Sequence, residues 1–183
     1  MNLPIENYLA CFPTTRVVGK LRLGPLTIGK FVLLDALGVD AHQEITEKEA
    51  ARAAYVLSMT DVAVIDLDET KRDFQQFERL VKRHLKAIAN SANEICSDAF
   101  RCYVKPPKSE KNVVSDTMRG AGWALDFAEA LCADYGWSWE KAINTPLSTV
   151  FALSAAYLDR YGLRPNCMDY YQRKAAKERK RHG

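Results

Sequence analysis

From Val62 to Thr70 the chain reads VAVIDLDET, an apolar run followed by Asp66 and Asp68, one residue apart. Two carboxylates at that spacing, at the end of an apolar strand, can do phosphoryl chemistry. In such chemistry a carboxylate can act as nucleophile or carry a proton, and a magnesium ion can neutralise a phosphate. A site at the end of such a strand needs a doubly wound parallel sheet to carry it. After Thr70 no alternation of strands and helices follows. Asp66, Asp68 or Thr70 is instead expected to cap a helix, with Glu69 and Asp73 favourable near its positive end. A calcium loop starting at Asp66 fails too, because Lys71 stands where the sharp turn needs glycine and Phe77 where the ion needs a bidentate glutamate.

The other reactive side chains are scattered. His42, His84 and His182 have no carboxylate or cysteine at a spacing that builds a metal site or a triad. Cys11, Cys96, Cys102, Cys132 and Cys167 are odd in number and without paired ligand spacing, so they are read as reduced thiols. Gly120 to Gly122, GAG, lacks the third glycine or the Lys-Ser/Thr pair of a phosphate loop. No cofactor or metal is expected. The reading is of a protein that is not an enzyme, with a magnesium-dependent phosphatase at Asp66 and Asp68 as a distant third alternative. VAVIDLDET does resemble the first motif of haloacid-dehalogenase-type phosphatases, over those nine residues alone.

The elements around these residues read as helices. The first 25 residues hold Pro4, Pro13, Gly24 and Pro25 around RVVGKLRL, an irregular or extended arm. LTIGKFVLLDALG then offers Thr27 as N-cap and Gly38 as stop. Thr46 and Glu49 form a capping box ahead of a second helix. Phe74, Phe77, Val81, Leu85, Ile88, Ala92, Ile95 and Ala99 repeat at spacings of three and four, predicting one long central helix over about Thr70 to Phe100. Pro106 and Pro107 break it within a polar linker, 105–116. Trp123, Phe127, Leu131 and Tyr135 mark another helix that Gly136 closes. In GWSWEKAINTPLSTVFAL, Ser138 caps a short helix, and Thr145 is expected to cap the last one with Pro146 at its first position.

The expected fold is therefore all-α: a single-domain bundle of about six helices spanning 1–172, with a basic tail over 173–183. A chain of 183 residues, 48% hydrophobic and 27% charged, can bury one core unaided. No run is long enough to span a bilayer and the first residues do not read as a signal peptide, so the cytoplasm is the expected location. Of the formal +3 charge, the tail holds more than its share. Arg173, Lys174, Lys177, Arg179, Lys180 and Arg181 stand against one glutamate, so the remainder is close to neutral. Such a tail could hold nucleic acid without sequence preference, the runner-up reading of an accessory protein. A helix-turn-helix reader is not expected, since the last helix opens with only Ser148 and Thr149 before turning apolar.

GWSWEKAINTPLSTVFALSAAYLDRYG, preceded by WALDFAEALCADY, resembles the tail assembly chaperones of bacteriophages and prophages, with their Gly-Trp corner, short helix and Thr-Pro start; GPLTIGKFVLLDALG is similar to their entry helix. The resemblance covers about forty residues and implies a non-enzymatic protein of the host cytoplasm. It would bind a long helical partner, such as a tape measure protein, and shield its apolar surface. Trp137, Trp139, Leu147 and Phe151 are the expected partner-binding residues, with Phe74, Phe77, Val81 and Leu85 as a second surface.

Overall fold

Gly19 sits at φ 61°, a left-handed conformation open to glycine, and turns the chain back on itself within two residues. The result is an antiparallel hairpin, β1 (Arg16–Val18) with β2 (Leu21–Leu23), in which Val17 pairs with Arg22 and Val18 with Leu21. Alternation sends Val18 and Leu23 into the core and leaves Val17 and Arg22 outside. Arg16 ties the hairpin down through ion pairs to Glu94 at 2.7 Å and Asp98 at 3.7 Å. The extended arm of the sequence reading is, over its described part, this hairpin. The computed structural model describes residues 13–62, 67–100 and 122–160, omitting the side chains of 67–73 and 155–160.

Helix α1 (Ile28–Ala36) starts where the Thr27 hydroxyl accepts the Lys30 amide at 3.2 Å, and the chain leaves it through Gly38. Helix α2 (Glu47–Ser58) carries the expected capping box. Glu49 accepts from the Thr46 amide at 2.9 Å and its hydroxyl at 2.7 Å, and these bonds hold the Glu49 carboxyl below its usual pKa. The periodic segment gives α3 (Leu67–Val81) and α4 (Leu85–Ala99) with a 3-10 turn, Lys82–His84, between them. One continuous central helix is thus corrected to two. Lys82, Arg83 and His84 are all exposed, so no side chain of that turn is buried in the core. Tightening there lets both halves stay on α2: Phe74 and Phe77 meet Tyr55 at ring distances of 5.8 and 5.5 Å, and Ile88, Ala92, Ile95 and Ala99 are buried.

Helices α5 (Gly122–Tyr135), α6 (Trp139–Ile143) and α7 (Leu147–Arg160) complete the bundle. The Ser138 hydroxyl accepts the Lys141 amide at 3.2 Å, as the spacing predicted. Thr145 does not cap α7. Its hydroxyl donates to the Lys141 carbonyl at 2.8 Å and so ties off α6, while Pro146, one position ahead of α7, offers its carbonyl to Thr149 and Val150. The starts of α1 and α7 are laced together: the Ile28 amide donates to Thr145 at 3.1 Å and the Leu147 amide to Leu26 at 2.9 Å. Gly29 permits the approach, since a β-carbon there would lie 3.2 Å from the Ile143 carbonyl and from Val62. Asn144 braces the same corner, accepting from the Val62 amide and donating to Asp61. The fold is mostly helical, with the hairpin as the sheet among the described residues, and the all-α reading holds.

Candidate partner-binding surface

Gly136 ends α5 at φ 63° and the chain turns sharply into α6, so the aromatic residues on either side gather at one corner. Trp137 is half-buried, 6.0 Å from the Tyr135 ring, and the Lys141 ammonium lies 4.1 Å above its centroid. Trp139, on the first turn of α6, keeps 51% of its surface exposed, and Tyr135 keeps 46%. The physical reason is the brevity of α6: Ala142 and Ile143 fill its inward side, which leaves no buried position for an indole at Trp139.

Leu147 and Phe151 do not belong to this surface. They are 0% and 2% exposed, so of the four residues expected from sequence Trp137 and Trp139 stand at the corner, beside Tyr135 and Lys141. The stripe of α7 looked free because spacing shows that a face is apolar without showing what lies on it; α1 lies at its start. Phe151 joins an aromatic cluster, stacked on Trp123 at 5.9 Å and 20° and set edge-on to Phe127 at 6.0 Å. The second surface is likewise taken up within the chain: Val81 is buried, and Phe74, Phe77 and Leu85 are packed against the core. Tyr135 was the residue missed, read as a stripe position of α5, though it is the one next to the stopping glycine.

A concavity of about 370 Å³ opens between the loop before α2 and the end of α4, lined by His42, Gln43, Glu44, Asn93, Cys96 and Phe100 among others. His42 lies against Phe100 at 4.5 Å and meets the edge of Phe31 at 5.4 Å. Asn93 is already committed, its carboxamide accepting from the Ile45 amide at 2.7 Å and donating to the Ile45 carbonyl at 3.1 Å. Burial pushes the Cys96 thiol up to about 12, which leaves it almost wholly protonated at neutral pH. Cys96 is therefore expected to resist iodoacetamide in the native protein at pH 8 and to react on unfolding, while half-buried Cys132 is alkylated first; peptide mapping by mass spectrometry against time checks both. Equal native rates at the two would contradict the burial.

Among the described residues, no three or more His, Cys, Asp or Glu are grouped so as to hold a metal ion, and no helix is long and apolar enough to cross a membrane. Asp66 and the tail residues Arg173, Lys174, Lys177, Arg179, Lys180 and Arg181 lie outside the described residues, as does the linker 105–116. Asp68 falls in the first turn of α3, and the sheet described is the hairpin β1–β2. No family model, curated protein or solved structure matches the chain.

Proposed function

We propose that this protein is a non-enzymatic binding factor that holds a protein partner at the aromatic corner of α5 and α6. One observation carries the reading: Trp139 and Tyr135, two large aromatic side chains close in the chain, keep about half their surface in water beside a third, Trp137, whose face is covered by Lys141. Tryptophan and tyrosine are enriched among the residues that anchor protein interfaces. The resemblance of the surrounding stretch to phage and prophage tail assembly chaperones supports a long helical tail component, such as a tape measure protein, as the partner.

Trp139→Ala separates an anchor from a structural residue. Its melting temperature is expected to stay within about 2 °C of the parent, because half of the side chain is already solvated. Capture of a purified helical tail component is expected to weaken about tenfold or more, the range of a binding hot spot. Unchanged capture by Trp139→Ala, with the fold intact, would remove the corner from the interface.

A further inference from the structure

The 3-10 turn between α3 and α4 gathers cations that the sequence keeps apart. Arg79, Lys82, Arg83 and Lys86 are all exposed and fall at helical spacings, so they share one side of the broken helix. The hairpin adds to them. The turn at Gly19 rests on His84, where a β-carbon would lie 3.8 Å from the imidazole Nε2, so the hairpin turn flanks that side and carries exposed Lys20 next to Gly19, with Arg22 following in β2. Glu78 is the only acid between Phe74 and Asn93, and the hairpin from Pro13 to Leu26 contains none. Arg16 takes Glu94 and Asp98, while none of Lys20, Arg22, Arg79, Lys82, Arg83 and Lys86 pairs with a described acid.

Helix electrostatics do not account for the cluster. Cations at the end of α3 are favoured by its dipole, but the same turn leads into the positive end of α4, where Lys86 stands in the first turn with no acid beside it. Like charges held this close repel; Glu78, four residues before Lys82, offsets part of that, and Arg83 and Lys86 have no acid at three or four residues. Exposed Gln76 and Asn90 extend the side at spacings of three and four beyond Arg79 and Lys86, supplying amides of the kind that bond phosphate oxygens. No phenylalanine, tyrosine or tryptophan stands exposed among them, so beside the His84 imidazole the surface offers mainly charge and hydrogen bonds.

We propose that the 3-10 turn, with the hairpin turn upon it, is a binding surface for the phosphate backbone of double-stranded nucleic acid. It lies on different elements from the aromatic corner and stands whether or not a protein binds there. Recognition is by phosphate charge, without base readout, so affinity falls with salt as counterions are released.

The test is fluorescence anisotropy of the full chain on a labelled DNA duplex of about 25 mixed-sequence base pairs, titrated from about 50 to 200 mM salt. The parent is expected to bind in the micromolar range at the lower salt. Lys82→Gln with Arg83→Gln changes only exposed residues; it is expected to weaken binding about tenfold or more and to flatten the log-log salt slope by about two, near 0.9 for each lost contact. No binding by the parent, or an unchanged slope in the double variant, overturns the proposal. So does binding lost only on removing 173–181, which would assign it to the tail, or equal displacement by poly-glutamate at matched charge, which would make the ligand an acidic protein segment. Trp139→Ala, run alongside, is expected to keep full DNA binding, so failure of the corner and failure of this surface are read separately.

Discussion

Phe151→Ala is expected to cost about 3–5 kcal/mol of folding stability, the range for emptying a phenylalanine site in a packed core. The ring is 2% exposed and has aromatic neighbours on several sides: Trp123 stacked at 5.9 Å, Phe127 edge-on at 6.0 Å and Phe100 at 6.0 Å. Trp123 in turn meets Phe31 at 5.1 Å, so one cluster joins α1, the end of α4, α5 and α7. Rigid rings on separate helices cannot collapse into the vacancy together, which puts the loss toward the upper part of the range. Domains of this size are stable by about 5–15 kcal/mol, so urea unfolding should show a midpoint well below that of the parent, and the fold could become marginal at 37 °C. Trp123 adds to the sensitivity: its indole N–H is buried without a described hydrogen-bond partner, so its contribution comes from contact. A loss under 1 kcal/mol would show that the cluster is not the centre of the core.

Lys30→Met is expected to move stability the other way. The side chain is 3% exposed, its ammonium donating to the Leu57 carbonyl at 3.1 Å, and desolvation lowers its pKa from 10.5 to about 8. Below pH 8 the lysine is protonated both folded and unfolded, and the whole cost of burying charge is present. Between pH 8 and 10.5 the folded protein releases its proton first, so the unfolded state binds more protons and stability rises with pH. Methionine has similar length and no charge, and Leu57 keeps its bond from the Gly24 amide at 2.8 Å. A gain on the order of 1–2 kcal/mol is expected at pH 7, with solvent screening discounted, and the alkaline rise should vanish. Denaturant titrations at pH 7 and pH 9.5 measure both. A loss of stability at pH 7 would show instead that the ammonium anchors the end of α2 by more than its burial costs.

What the sequence made legible was local. Thr27, Thr46 with Glu49, and Ser138 were readable as helix starts because a cap depends on residues within three positions of it. The break at Lys82 was not, because the apolar spacing runs through it unchanged and the bend is imposed by α2, a partner from elsewhere in the chain. Thr145 differs for a related reason: it sits between two helices, its hydroxyl donating to the carbonyl behind it while the Thr149 and Val150 amides of α7 bond the Pro146 carbonyl. Within the candidate site, Trp137 and Trp139 could be placed at a corner, but the burial of Leu147 and Phe151 depends on α1 and Trp123. The cationic surface is not legible as a run, because four of its cations are spaced along a broken helix and two stand in the hairpin, whereas the tail shows its charge in one stretch.

The lacing of Leu26 and Ile28 to Thr145 and Leu147 also sets an order of events in synthesis. The hairpin and α1 leave the ribosome early, yet the amide of Ile28 and the carbonyl of Leu26 find their partners only after most of the chain has been made. Closing that loop is an entropic step that no local contact can perform in advance, so α1 waits partly uncovered, with Phe31 lacking Trp123 of α5 and the start of the helix lacking its bonds to Thr145 and Leu147. Nascent chains stalled before residue 145 are therefore expected to be the form most in need of a holding chaperone.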